Sequence, residues 1–101
     1  MTTSSLDSIA YGQTTVTGAD TATVLTATTQ AVPDGFYLVV KAHSTNTESI
    51  FIGDASVTLT TGFELPKNHA VKLKVSKVAT VYIRSTSTSQ KVSWIIEEIN
   101  A

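Results

Sequence analysis

The sequence predicts an all-β domain: about eight short antiparallel strands in a sandwich or barrel. Three observations carry that expectation. Val, Ile and Thr supply 11, 7 and 18 of the 101 residues, and β-branched side chains, stiff at χ1, suit a pleated surface. Clusters of turn-forming residues recur at roughly ten-residue intervals, the spacing of a sandwich or barrel. Several segments also alternate apolar and polar residues with the period of two that a half-buried strand requires. Leu, Ile, Val and Phe together make up 27 residues, above the roughly 20% below which chains stay disordered. The length is that of one ordinary domain.

In chain order, residues 1–10 read as an N-terminal arm, hydroxyl-rich with Leu6 as an apolar anchor, and residues 11–101 as a single β-sandwich domain. A weak strand over residues 9–17 is interrupted by Gly12, and a second runs over 21–28 after the turn Gly18-Ala19-Asp20. Pro33-Asp34-Gly35 is a strong turn signal: Pro presets φ, Asp bonds the local backbone and Gly admits positive φ. Phe36 to Ala42 follows, apolar on both faces and so expected to lie centrally. Residues 49–52 and 56–60 read as the next strands, the latter from the alternation of Val57 and Leu59 with Ser56, Thr58 and Thr60. Phe63 and Leu65 flank Glu64 before Pro66 and are left outside the strands. Val71, Leu73 and Val75 alternate with Lys72, Lys74 and Ser76, and residues 79–84 and 91–99 complete the set. Two of these segments also fit helical spacing: Val71, Val75 and Val78, and Val92, Ile95, Ile96 and Ile99. Against the second helix, Trp94 would face water and Val and Ile dominate the apolar positions; both segments are read as strands. The loops Ser44-Thr45-Asn46-Thr47 and Ser85-Thr86-Ser87-Thr88 look alike and are read as hairpin loops of convergent composition rather than a duplication.

Composition narrows the chemistry. Seven basic and eight acidic residues give a net charge of −1, too few cations for a strong phosphate-binding face. Lys72 and Lys74, on one side of a strand, form only a small basic ridge with Lys67 and Lys77 nearby, read as a solvated face. No nucleic-acid partner is therefore expected. With no cysteine, disulfides, cysteine zinc sites and thiol catalysis drop out. The hydroxyl-rich start lacks the basic and apolar regions of a secretory signal. No run approaches the roughly 18 apolar residues that span a bilayer, so no membrane partner is expected either. A net charge so near zero leaves little repulsion between copies, which favours self-association.

No catalytic constellation emerges. His43 and His69 lack an HxH or HxxxH partner, and a zinc site needs three or four ligands in tetrahedral array. Glu97 and Glu98 would point to opposite faces of a strand, while Asp34 and Asp54 sit in ordinary turn contexts. There is no Gly-x-Ser-x-Gly, GxGxxG or phosphate-binding loop. Trp94, single in the chain, reads as core or interface. The expectation is a non-enzymatic protein with no catalytic, cofactor-binding or metal-binding residues.

A series of short motifs then stands in order: Phe51-Ile52-Gly53, Val57-Thr58-Leu59, Thr61-Gly62-Phe63-Glu64-Leu65, Val71 to Val75, Val81-Tyr82-Ile83 and Val92-Ser93-Trp94, with Lys41-Ala42 and Asn46 upstream. This series, over residues 36 to 96, resembles small structural proteins of tailed bacteriophages. One departure is Lys67-Asn68 after Pro66, where the pattern tends to have Pro-Gly; Asn tolerates the left-handed conformation such a turn needs. The resemblance implies a jelly-roll-like sandwich or barrel and the role of a capsid decoration (auxiliary or cement) protein. It would be a homotrimer on the major capsid protein lattice, at the outer capsid surface of virions assembled in the host cytoplasm. A tail or fibre component with a carbohydrate- or receptor-binding sandwich is the alternative, with Tyr11, Tyr37, Tyr82 and Trp94 as its aromatic stock, although strand placement argues for their burial. The residues expected to contact the capsid are Thr2, Thr3, Ser4, Ser5 and Leu6 of the arm, whose hydroxyls and backbone can bond a partner's sheet edge.

Overall fold

The computed structural model describes residues 10–26 and 30–98. Eight strands form two antiparallel sheets: β1 (Tyr11–Thr15), β2 (Thr23–Val24), β3 (Phe36–Ala42), β4 (Ile50–Gly53), β5 (Phe63–Leu65), β6 (Ala70–Leu73), β7 (Tyr82–Arg84) and β8 (Lys91–Glu98). One sheet has the order β1-β8-β3-β6 and the other β2-β7-β4-β5. First pairs with last, second with seventh, third with sixth and fourth with fifth. The chain is thus one long antiparallel ribbon, doubled at the β4–β5 turn and wrapped so that β3 meets β8 and β4 meets β7. That is the jelly-roll order. It is a sandwich of two separate sheets rather than a barrel.

Each strand packs one face inward, as the period of two demands. In β3, Phe36, Leu38, Val40 and Ala42 are buried, and in β8 Val92, Trp94 and Ile96. They meet Ile50, Ile52, Leu65 and Ile83 from the other sheet in a single core. β3 is central, as expected, but it is not covered on both faces: Tyr37 and Val39 are half-buried and Lys41 is exposed. Among the described residues, the outer face of its sheet carries no further layer. β8 resolves the helical ambiguity as strand, and residue 99 lies outside the described residues. Val71 is likewise in strand, whereas Val78 opens a short 3₁₀ turn, Val78–Thr80, that shortens the expected 79–84 strand to β7.

The strand expected over residues 56–60 is a turn. Thr58 and Thr61 explain it: the Thr61 hydroxyl accepts from the Thr58 N–H at 3.2 Å, and the Thr58 hydroxyl from the Thr61 N–H at 3.1 Å. Local side-chain bonds of this kind compete with a sheet ladder. A side chain at Gly62 would also come within 2.8 Å of Phe51 and 2.7 Å of Val57, so the turn closes tightly there. Val57 is still buried, as its alternation suggested. The residues that do pair with β4 are Phe63 to Leu65, the segment read as non-strand. Two turn expectations hold in detail. The Phe36 N–H donates to Pro33 O at 3.1 Å around Gly35 at φ +88°, and Asn68 takes φ +69° where the motif tends to carry Gly.

The two similar loops are not hairpins. Each carries the chain from one sheet to the other, β3 to β4 and β7 to β8, and they lie side by side. Buried amides join them. Asn46 donates from Nδ2 to Lys91 O at 2.8 Å and accepts at Oδ1 from the Lys91 N–H at 2.7 Å. Gln90 accepts at Oε1 from the N–H groups of Thr47 (2.8 Å) and Glu48 (3.0 Å). The Ser85 hydroxyl donates to Ser49 O at 2.9 Å. Arg84 similarly ties Asp20 (Nε to Oδ1, 2.8 Å) and the carbonyl of Val57 (2.7 Å) to β7. Replacing Gln90 by Met keeps the volume but strands two loop N–H groups. It is expected to lower stability by about 1–2 kcal/mol, read by urea denaturation, because unmade bonds at part-exposed groups cost less than fully buried ones.

Candidate functional site

The outer face of the β1-β8-β3-β6 sheet holds the most unusual surface. Tyr11, Gln13 and Thr15 of β1 point outward, as do Lys91, Ser93, Ile95 and Glu97 of β8, Val39 and Lys41 of β3, and Lys72 of β6. The strand register then sets rows across the sheet. Tyr11 stands opposite Ile95, Ile95 opposite Val39, and Val39 opposite Lys72. Gln13, Ser93, Lys41 and Ala70 make the next row. The first is an apolar row crossing three strands, with Tyr11 72% and Ile95 39% exposed. A shallow groove of about 730 Å³ lies over it, and Gln13, Lys41 and Ala70 also line it. Lys72 closes the row: its Nζ lies 3.0 Å from Glu97 Oε1 and 5.6 Å from the Tyr37 ring centroid.

Beneath Tyr11, Gly12 faces inward against its cross-strand partner Trp94. A Cβ on Gly12 would come within 2.7 Å of the indole. The glycine read from the sequence as interrupting a strand is therefore what lets Trp94 lie flat under β1.

A second feature lies at the far edge of the sandwich. β5 and β6 are the facing edge strands of the two sheets. With three and four residues, they leave an apolar opening of about 480 Å³ between the sheets, lined by Ile52, Val71, Leu73 and Val81 among others. Phe63 stands at its mouth, 59% exposed, and Asp54 at its rim. The Asp54 carboxylate accepts from the Ser56 hydroxyl (2.7 Å) and the Ser56 N–H (2.9 Å). These two bonds, the hydroxyl's first, hold its pKa below the usual aspartate value.

The remaining candidate residues are dispersed. Thr2, Thr3, Ser4, Ser5 and Leu6 lie outside the described residues. His43 Nδ1 lies 2.8 Å from Thr45 Oγ1, and His69 Nδ1 lies 3.2 Å from Lys67 O, so each ring is engaged within its own loop. Among the described residues no group of three or more His, Asp or Glu is placed to hold a metal ion. Trp94 is buried, Tyr37 and Tyr82 half-buried. Tyr11 departs from the burial expected of the aromatics. Compared with known proteins, the chain matches no family model, no curated protein and no solved structure.

Sequence reasoning missed both apolar surfaces. The signal was present for one of them: in the outward column Lys91, Ser93, Ile95, Glu97, one aliphatic residue stands among polar ones. Phe63 carried no such signal, since its exposure depends on how short the two edge strands are.

Proposed function

We propose that this chain is a non-enzymatic structural protein of a tailed-phage virion, decorating and stabilising the capsid by binding the major capsid protein lattice from outside as a homotrimer. The observation that supports this reading is the ordered motif series, most of whose pieces coincide with strands of the jelly roll, while Val57-Thr58-Leu59 falls in the turn between β4 and β5. Phe51-Ile52-Gly53 ends β4, Thr61 to Leu65 enters and forms β5, Val71 to Leu73 lies in β6, Tyr82-Ile83 in β7 and Val92-Ser93-Trp94 in β8. The physical logic is multivalency: once one subunit of an oligomer touches the shell, the others bind at high effective concentration, so weak contacts add to firm attachment. Residues 1–10 supply the proposed anchor, through Thr2, Thr3, Ser4, Ser5 and Leu6.

The test is cosedimentation of the purified protein with shells of the encoding phage assembled without it. Saturable binding and a higher shell disruption temperature are expected, and loss of binding on deleting residues 1–10. Full occupancy by the truncated protein rejects the arm as anchor, and no binding by the intact chain rejects decoration. One observation favours the tail or fibre alternative: Tyr11 is an exposed aromatic beside Gln13, Lys41 and Ser93, the mixture a sugar ring packs against. That reading requires glycan-array binding that Tyr11→Ala abolishes without loss of fold.

A further inference from the structure

We propose that copies of this chain join head to tail, the apolar row of Tyr11 and Ile95 on one copy seating against the Phe63-capped opening between the sheets of the next. The proposal deepens the oligomer of the reading above and rests on that reading only for the expectation that several copies act together.

The described residues expose three large hydrophobic side chains, Tyr11, Phe63 and Ile95. They fall on two separate surfaces. Tyr11 projects from β1, one edge of its sheet, with Ile95 beside it on β8. The opening lies at the other edge, between β5 and β6. Two surfaces at opposite edges cannot meet within one copy, and a self-facing contact would set Lys41 against Lys41 or Asp54 against Asp54. A rotation that brings the β1 edge of one copy to the β6 edge of the next satisfies both. Repeated, it closes into a ring or runs on as an open chain, depending on the angle.

Charge supports the same partner. Lys41 borders the projecting row and is in no ion pair among the described residues. Asp54 borders the opening. The cations nearest that edge, Lys72 and Lys74, are exposed while Val71, Leu73 and Val75 turn toward the core; Lys72 is already held by Glu97. Each joint therefore brings Lys41 of one copy toward Asp54 of the next beside an apolar centre, an arrangement that gives an interface both orientation and desolvation.

Mixing two blocked variants tests the geometry by sedimentation velocity on the protein alone, with no shell present, so its outcome is separate from that of capsid binding. Wild type is expected as an oligomer, and Ile95→Asp and Phe63→Asp each as monomers with wild-type circular dichroism. An equimolar mixture should give a one-to-one dimer and nothing larger, because one intact row and one intact opening remain. Should Ile95→Asp unfold, Tyr11→Asp replaces it on the more exposed residue of the same row; Phe63→Ser serves likewise at the opening. A monomeric wild type, a mixture that stays monomeric, or Phe63→Asp that associates as wild type does would each overturn the proposal.

Discussion

Leu38→Ala is expected to lower stability by about 2–5 kcal/mol, the range for removing three carbons from a well-packed core. Leu38 has no solvent exposure, and its strand is held on one side by Ile96 of β8 and on the other by Leu73 of β6. Neither neighbour can move into the cavity without breaking its own ladder, so the site collapses poorly. Domains of this size have about 5–15 kcal/mol of stability in total. A drop of roughly 10 °C or more in melting temperature should follow. Val39→Ala on the same strand is the control. Its side chain is half-buried on the outer face, and a loss below about 1 kcal/mol is expected, as for surface changes. Equal losses at the two positions would mean that the outer face is covered in solution. Both variants are compared in the monomeric Phe63→Asp background, because head-to-tail association would cover Val39 in the row of Tyr11 and Ile95.

Gly12→Ala is expected to cost about 1–3 kcal/mol, the usual penalty for forcing extra volume into a filled site. The added Cβ would lie 2.7–2.8 Å from three indole atoms of Trp94. Such separations require either the ring or β1 to shift. Trp94 is the protein's single tryptophan, so its fluorescence reads the event directly. Emission should move to longer wavelength as the ring gains water, with the denaturation midpoint lowered. An unchanged spectrum with unchanged stability would show that β1 does not lie over the indole. The effect is smaller than that at Leu38 because β1 is an edge strand and can give way.

Much of the fold was legible because burial on one side of a sheet imposes a period of two, and β3, β6 and β8 carry it plainly. The jelly-roll order itself was implied only by the resemblance to tailed-phage structural proteins, not by any single strand. Turn chemistry was equally local: Gly35 and Asn68 adopt positive φ where Pro-Asp-Gly and Pro-Lys-Asn placed their turns. Residues 56–60 misled for a physical reason. Alternation reports which side chains turn inward, and Val57 does, but it does not report backbone pairing, which the hydroxyls of Thr58 and Thr61 divert into a turn. The similar loops at 44–47 and 85–88 were visible as composition alone. That Asn46 and Gln90 bind one loop to the other depends on a wrapped ribbon placing them side by side.

The candidate surfaces divide along the same line. The sequence by itself determined an all-β chain with weak charge, many hydroxyls and no cysteine, because composition and period follow from the residues in order. It left Ile95 undecided. In a helix, Val92, Ile95, Ile96 and Ile99 share one face; in a strand, Ile95 turns away from Val92 and Ile96. Only the pairing of β8 between β1 and β3 chose the second, and only the register of those pairs set Tyr11 and Val39 on either side of Ile95. The opening under Phe63 was likewise decided by two short edge strands, consecutive in the chain but in different sheets, that face each other across the sandwich without closing it. Rows across a sheet are made by residues distant in sequence, and their composition becomes a surface only when the register is fixed.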